Sequence, residues 1–276
     1  MNTQRHENTT SSLHRVFRII GDTFVSDEHI SPCAERETEP VEIDVKHLDD
    51  VMDSLSAQTL MDIFSAAFSA LSLIVLTPQG TIVFANPVAV NGFAGVNQHT
   101  VKGKHLAELT PEAWANERIN YMQLAAQTCK SVSMIDLIDG KRLFTVLRPV
   151  EIEHKGQLQT LIFITVEPVS PLELGLIREQ LKADELITAE HIDLGQLSVL
   201  TSRELEVLAL MGQGLRQKEI ATTLCRSIST IDRHRERIGE KLGITDRADL
   251  IAIAREAVLD VEDAKRIHVS LKSMPA

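Results

Sequence analysis

The chain has 276 residues, of which 43% are hydrophobic and 24% charged, a composition typical of a folded protein of about two domains. The sequence contains no run of roughly 18 apolar residues, and residues 1–10 lack a basic-then-apolar leader, so we expect no membrane segment and a cytoplasmic location. Three scattered cysteines, Cys33, Cys129 and Cys225, do not predict a disulfide framework.

The net charge of -11 is distributed unevenly along the chain. Residues 198–276 hold 13 Lys and Arg against 12 Asp and Glu, while the rest of the chain holds 15 against 27. The acidity therefore belongs to the N-terminal part. Because phosphate contacts come chiefly from Lys and Arg, the near-neutral C-terminal part predicts modest, dimer-dependent affinity for a nucleic acid.

The N-terminal segment, residues 1–45, is polar and acidic, and we predict that it is largely disordered.

A first domain is predicted at residues 46–168. Apolar residues recur at helical spacing over residues 47–71, which favours a helix leading into this domain.

The rest of the first domain has the pattern of one layer of strands and one layer of helices. Two β-rich runs flank Thr77-Pro78-Gln79-Gly80, which is typical of a hairpin, and a helix is predicted over residues 111–128. Three further strands are predicted at residues 132–138, 143–151 and 158–167, joined by turns at Asp139-Gly140 and at residues 154–156. This order predicts an α+β domain, an antiparallel sheet with helices on one face.

The first domain resembles a PAS sensor domain. The resemblance is carried by Phe84-Ala85-Asn86-Pro87, by Gly103-Lys104-His105-Leu106-Ala107-Glu108-Leu109 and by the closing strands. It implies that the helical side of the sheet holds a small-molecule ligand or cofactor, or mediates dimerisation. No residue is assigned to a cofactor, and no metal site is predicted.

A helical linker is predicted at residues 169–197. Its helix covers residues 172–187 and places Leu174, Ile177 and Leu181 at the spacing of a coiled-coil seam. The same spacing suits an amphipathic helix on the surface of the first domain, and the sequence leaves both open.

A second, all-α domain of four helices is predicted at residues 198–262, with a tail at residues 263–276. Thr201 and Glu204 form a capping box at the start of its first helix. The other helices are predicted at residues 217–224, from a cap at Ser229 or Thr230 to Leu242, and at residues 247–259, with Gly243 closing the third. Helix, tight turn and helix is the arrangement of a DNA-reading unit.

The third of these helices has two different faces. At about 100° per residue, its buried stripe consists of Ile231, Ile238 and Leu242. The opposite face presents Arg233, Glu236, Arg237 and Glu240, with Asp232 at its border. The polar face is therefore the one that can enter a major groove.

The second domain resembles the DNA-binding domains of the LuxR/GerE family. The matching residues are Leu200, Thr201, Arg203, Glu204, Glu206, Val207, Leu208, Lys218, Glu219, Ile220, Ala221, Leu224, Ser227, Thr230, Ile231, His234, Lys241, Leu242, Gly243, Ile244 and Arg247. The resemblance implies a helix-turn-helix that begins at Gln217 and ends at Glu236. The DNA contacts that it implies are Lys218, Ser229, Thr230, Asp232, Arg233, Glu236, Arg237 and Lys241.

The resemblance also divides these contacts by role. Phosphate contacts are expected from Lys218, Thr230, Arg237 and Lys241. Arg233 is expected to read bases, because an arginine can bond guanine O6 and N7 together. Asp232 and Glu236 stand where basic residues are common in the family, which leaves the preferred DNA sequence open. Surface ion pairs from Arg233 to Glu236 and from Arg237 to Glu240 are the alternative role of this face.

The sequence therefore predicts a transcription regulator that is a homodimer on double-stranded DNA, with RNA polymerase as a further partner, and not an enzyme. A response regulator would need alternating βα units, and a sensor of acyl-homoserine lactones would need more aromatic residues than Trp114 and Tyr121 supply. An enzyme would need a nucleophile elbow, a metal motif or a phosphate loop, none of which occurs in the sequence. An adaptor whose helix-turn-helix binds protein stays open, because acidic residues lie on the groove-facing side.

Overall fold

The structure is a computed structural model that describes residues 71–91, 101–154, 157–181 and 185–271. The segment predicted to be disordered and the predicted helix before residue 71 lie outside the described residues. The described residues all belong to one compact unit. We call residues 71–168 the sheet domain and residues 195–256 the helical domain.

The sheet domain has the predicted α+β architecture. Its elements are β1 (Ser72–Leu76), β2 (Ile82–Ala85), α1 (Pro87–Asn91), α2 (Leu106–Leu109), α3 (Glu112–Thr128), β3 (Val132–Ile138), β4 (Lys141–His154) and β5 (Gln157–Pro168). The five strands are antiparallel and lie in the order β2-β1-β5-β4-β3. Helix α3 packs across β3, β4 and β5. The prediction of an antiparallel sheet with helices on one face is confirmed.

Local sequence explains where these strands end. Asp139 and Gly140 have φ values of 50° and 69°, the two left-handed residues that a tight two-residue hairpin loop requires. At the end of β2, the buried Asn86 side chain accepts the backbone N–H groups of Leu73 and Ala89 at 3.1 and 2.9 Å. One amide thus ties β1 to the start of α1.

The core of the sheet domain lies between the sheet and α3. Trp114 and Met122 of α3 are buried in one cluster with Leu147 and Ile162 of the sheet. Each apolar side chain of this size contributes about 1.5–3 kcal/mol when it is fully buried. This packing fixes α3 across the sheet.

The linker between the two domains is only partly helical, which corrects the prediction. Helix α4 (Pro171–Gln180) ends well before residue 187, and β6 (Leu186–Thr188) pairs in parallel with β3. The edge of β3 offers unpaired backbone groups to a strand, and this non-local pairing overrides the helical spacing. Leu174 and Ile177 are buried, so the structure supports the packed amphipathic helix and not an exposed coiled-coil seam.

The helical domain contains the four predicted helices. They are α5 (Ser202–Gly212), α6 (Gln217–Thr223), α7 (Ile228–Leu242) and α8 (Arg247–Glu256), preceded by a 3₁₀ helix at Gly195–Val199. The predicted capping box is present, since the Thr201 side chain accepts from the backbone N–H of Glu204 at 3.3 Å. Gly243, with φ 69°, ends α7 as predicted. No helix of the described ranges is long and apolar enough to cross a bilayer.

The start of α7 differs from the prediction. Ser227 caps this helix, and neither Ser229 nor Thr230 does, because the backbone N–H of Thr230 donates to Ser227 Oγ at 3.2 Å. Three hydroxyl-bearing residues within four positions each suit a cap, and the turn before the helix decides among them. Ser229 therefore lies within the first turn of α7.

The predicted tail is structured up to residue 271, the last residue that the structure describes. After α8 the chain forms a 3₁₀ helix at Val261–Lys265 and then β8 (Ile267–Val269). This strand pairs in parallel with β7 (His191–Asp193) of the linker. Sequence analysis did not predict this strand, because a three-residue strand whose partner is distant in sequence leaves no local pattern.

Gly195, at the start of the helical domain, is predicted to reject a side chain. Its φ is 53°, and a Cβ there would lie 2.7 Å from the carbonyl carbon of Asp139. We expect Gly195→Ala to lower the free energy of unfolding by about 1–3 kcal/mol, because the backbone of the β3–β4 turn must move. Urea unfolding of the purified protein measures this loss.

Gly175→Ala is the matched control, because a Cβ at this position in α4 meets nothing within 4 Å. It should raise the free energy of unfolding by about 0.5–1 kcal/mol, the usual gain from replacing a helical glycine. A Gly195→Ala variant as stable as the Gly175→Ala variant would contradict the close approach at the turn.

Candidate nucleic-acid interface

Helix α7 is held in place by the first turn of α5. Buried Glu204 accepts a hydrogen bond from Lys241 Nζ, near the end of α7, at 2.6 Å. Neighbouring Arg203 donates to the backbone carbonyl of Leu224, at the end of α6, at 2.8 Å and to Glu206 at 2.5 Å. Two adjacent side chains of α5 therefore fix both helices of the helix-turn-helix.

The charge of Glu204 is favoured at neutral pH. Burial raises the pKa of this carboxyl, but the hydrogen bonds from Lys241 and from the backbone and side chain of Thr201 offset it, and the pKa lies below its usual value. The contact with Lys241 is thus a charge-assisted hydrogen bond.

The inner face of α7 packs as the helical angles predict. Ile231 and Ile238 are buried in one core cluster with Leu208 of α5 and Leu250 of α8. Leu242 is partly buried and packs against the same cluster. This burial fixes which side of α7 faces outward.

The outward face of α7 carries the side chains that the sequence placed there. Arg233, Glu236 and Arg237 are exposed, as is Ser229 at the start of the helix. Glu240 is exposed on the same face, which therefore combines two guanidinium groups with two carboxylates. An arginine on such a face has the reach and the donor fork to bond a guanine in a major groove.

Asp232 lies at the border of this face and is engaged within the protein. Its Oδ1 accepts a hydrogen bond from Gln217 Nε2 of α6 and lies 3.7 Å from Arg235 Nη2. The carboxylate therefore bridges the two helices, and Arg235 offsets its charge. This arrangement weakens the repulsion that Asp232 would otherwise exert on a DNA phosphate.

The remaining predicted contacts fall into two groups. Lys218 is exposed on α6, and Thr230 is half-buried with Oγ1 2.8 Å from Ser227 Oγ. The ammonium group of Lys241 is engaged by Glu204. That contact gives Lys241 a structural role whether or not it also meets a phosphate.

The structure adds basic residues that the sequence reasoning did not name as DNA contacts. Arg226 is exposed in the turn between α6 and α7, where Cys225 adopts a φ of 53°. Arg235 and Arg247 line an open groove of about 450 Å³ between α7 and α8, together with Glu236. Charge was the only signal of Arg226 and Arg235 in the sequence, and Arg247 also matched the family pattern, but the place of all three beside the reading face depends on the turns.

His234 points away from the exposed face. It is half-buried, and its Nδ1 is buried without a hydrogen-bond partner among the described residues. Burial, together with the positive charge of Arg203, lowers the pKa of this imidazole below its usual 6.5. The ring is therefore neutral at neutral pH.

Removing the Lys241 ammonium group should destabilise the helical domain. We expect Lys241→Ala to lower the free energy of unfolding by about 1–3 kcal/mol, because Glu204 stays buried without its charged partner. Lys265→Ala is the control, since Lys265 pairs with Glu262 on the exposed surface and should change nothing measurable. Equal losses in the two variants would contradict this role of Lys241.

His234 should make stability depend on pH. Its pKa is lower in the folded than in the unfolded state, so the unfolded state binds more protons once the pH falls below about 6.5. The free energy of unfolding should decline from pH 6.5 down to the folded pKa and receive no further contribution from His234 below it. Denaturant titrations at pH 5 to 8 measure this slope, and a His234→Gln variant with an unchanged slope would assign it to other groups.

Comparison with known families agrees with this geometry. Residues 198–254 match the family model of bacterial regulatory proteins of the luxR family, and residues 69–168 match a model of the PAS fold. Both resemblances drawn from the sequence are confirmed.

Among curated proteins, the oxygen regulatory protein NreC of Staphylococcus aureus is 34% identical over 83 residues. That match covers 30% of this chain and 37% of NreC. Two solved structures are also similar. The match to the Vibrio cholera VqmA-ligand-DNA complex covers 75% of this chain and 92% of the VqmA chain, with 21% sequence identity and a TM-score of 0.43. The match to a domain of an HTR-like protein from Haloarcula marismortui covers 36% of this chain and 98% of that domain, with 20% sequence identity and a TM-score of 0.33.

The described geometry and the two family matches assign the same parts of the chain. The sheet domain is a domain of the PAS fold, and the helical domain is a DNA-binding helix-turn-helix domain of the luxR type.

Proposed function

We propose that the protein is a sequence-specific transcription regulator that reads double-stranded DNA with α7. The observation that carries this proposal is the exposed face of α7, with Arg233, Glu236 and Arg237, on the second helix of a luxR-type helix-turn-helix. A helix in this position lies in the major groove, where its exposed side chains meet base edges. Arg233 reads guanine through O6 and N7.

Backbone contacts position the domain on the duplex. Lys218 and Arg237 are exposed cations, and Ser229 is exposed at the N-terminal end of α7, where backbone N–H groups attract a phosphate. Thr230 lies in the same turn. Lys241 contributes by holding α7 through Glu204 and adds a phosphate contact if its ammonium group reaches beyond that carboxylate.

Two copies of the chain bind a two-fold site. One helical domain covers a single half-site, and a near-neutral domain needs a second copy to reach useful affinity. The sheet domain senses a small molecule or a partner and controls this pairing, and RNA polymerase is the further partner of the bound dimer. The chain acts by binding and not as an enzyme, in the cytoplasm.

An adaptor that binds protein is the second candidate. Glu236 and Glu240 are both exposed on α7, and such carboxylates oppose a phosphate backbone. Asp232 adds less to this opposition than the sequence suggested, because Gln217 and Arg235 engage it. With two exposed arginines and two exposed glutamates, the net charge of the face does not separate the two candidates, and DNA is favoured because the helix belongs to a luxR-type helix-turn-helix.

Arg233→Ala tests the reading helix. In gel shifts against genomic fragments, wild type should retain selected fragments. The variant should bind them about 5- to 150-fold more weakly, since one bidentate base contact contributes about 1–3 kcal/mol. Arg178→Ala is the matched control, because Arg178 is an exposed arginine of α4, outside the helical domain. No selective retention by wild type would favour the adaptor.

Lys218→Ala tests the backbone contacts. It should weaken binding to selected and unselected fragments alike and reduce the slope of log affinity against log salt by about 1. A loss confined to the selected fragments would make Lys218 a base reader.

A further inference from the structure

Residues 258–271, which we call the clasp, extend beyond residue 254, where the luxR family match ends. They return from the helical domain to the sheet domain. Arg142 of β4 donates to the backbone carbonyl of Val258 at 3.1 Å and forms an ion pair with Asp263. The two charged side chains are 3% and 1% exposed. A buried ion pair therefore joins the two domains through the clasp.

The second half of the clasp, from Arg266 onward, is also bonded to the linker. Strand β8 pairs with β7 at three consecutive positions, and the backbone N–H of Ile267 donates to the Glu190 carbonyl at 3.0 Å. Arg266 Nη1 donates to the carbonyl of Ala189 at 2.7 Å. Each of these contacts joins parts of the chain that are more than 70 residues apart.

The sheet domain holds the other side of the same linker strand. Glu117 of α3 accepts the backbone N–H groups of Glu190 and His191 at 2.7 and 3.0 Å. Arg118 donates to the carbonyl of His191 at 3.0 Å and to buried Asp136 of β3 at 2.6 Å. Strand β7 therefore lies between α3 and the clasp and is bonded to both.

Two features of the clasp lie at its contact with Arg142. Val258 has a φ of 46°, an unfavourable conformation for a β-branched residue, and its carbonyl is the group that Arg142 bonds. Asp263 is buried beside Arg142, and its other carboxylate oxygen lies 3.5 Å from Arg266 Nε. Loss of Arg142 therefore leaves the buried Asp263 with Arg266 alone as a counter-charge, which weakens the contact between the clasp and the sheet domain.

We propose that the clasp couples the sheet domain to the helical domain, so that a change in one domain reaches the other through the pair of Arg142 and Asp263 and through β7 and β8, and not along α4. Helix α4 ends at Gln180, and the chain is bonded to the sheet again at β6 before it enters the helical domain. The proposal rests on the proposed function only in taking DNA as the ligand of the helical domain.

Hydrogen exchange of the full chain tests the clasp itself. The amide of Ile267 should be protected in wild type, and in Asp263→Asn it should exchange roughly 100-fold faster, as expected when a buried charge loses its partner. Glu262→Gln removes the exposed ion pair between Glu262 and Lys265 in the same segment, and it should leave the exchange rate of the Ile267 amide unchanged. Arg142→Gln alters only the sheet-domain side and should reproduce the acceleration. Unchanged exchange in both clasp variants overturns the proposal.

Coupling between the two domains is tested with DNA. If the sheet domain influences DNA binding by the helical domain, bound DNA must in turn influence the sheet domain, because coupling between two sites is reciprocal. The probe is a duplex that wild type retains in the gel shift, and the readout is the thermal unfolding of the sheet domain followed by Trp114, the single tryptophan of the chain. The duplex should raise this midpoint in wild type and in Glu262→Gln, and leave it unmoved in Asp263→Asn.

The outcomes separate the two proposals. A wild-type protein that retains no duplex contradicts the proposed function, while the exchange experiment still decides whether the clasp exists. A protein that binds the duplex without any shift of the Trp114 midpoint keeps the proposed function and overturns the coupling. An equal shift in wild type and in Asp263→Asn overturns it as well, because the signal then travels by another route.

Discussion

A charge that is buried must meet its counter-charge inside the protein, and this constraint sets the placement of the main parts of the structure. Asp136 meets Arg118, Glu204 meets Lys241 and Asp263 meets Arg142. Such pairs add little net stability over apolar packing, but only one relative placement of the parent elements satisfies them. In this chain they specify how α3 lies on the sheet, how α7 lies on α5, and how the C-terminal segment lies on β4.

The parts of the fold that could be predicted are those whose signals are local. Thr201 and Glu204 stand three residues apart, Asp139 and Gly140 are neighbours, and Gly243 directly follows the last turn of α7. Strands β6 and β8 left no such signal. Each has three residues, and each is stabilised by a partner strand far along the chain, so neither periodicity nor turn chemistry could reveal it.

The reading face was predictable because helical geometry alone separates the outward side chains of α7 from Ile231 and Ile238. The contacts that those side chains make could not be predicted. Asp232 is engaged by Gln217 across 15 residues, and Lys241 by Glu204 across 37. Both partners lie on other helices, and their roles follow from the packing angle between helices, which a single sequence does not encode in any local pattern.

The edges of the sheet bear on how the protein meets its own copies. At one edge β6 covers β3. At the other, Ile82 of β2 donates to the carbonyl of Lys104 at 2.9 Å and accepts from the N–H of Gly103 at 2.7 Å. Both edge strands are also short, three residues in β6 and four in β2, so each border offers few backbone groups to an incoming chain. We therefore expect self-association of this domain to depend on side chains on its broad surfaces, where single substitutions can tune it, and not on the addition of strands.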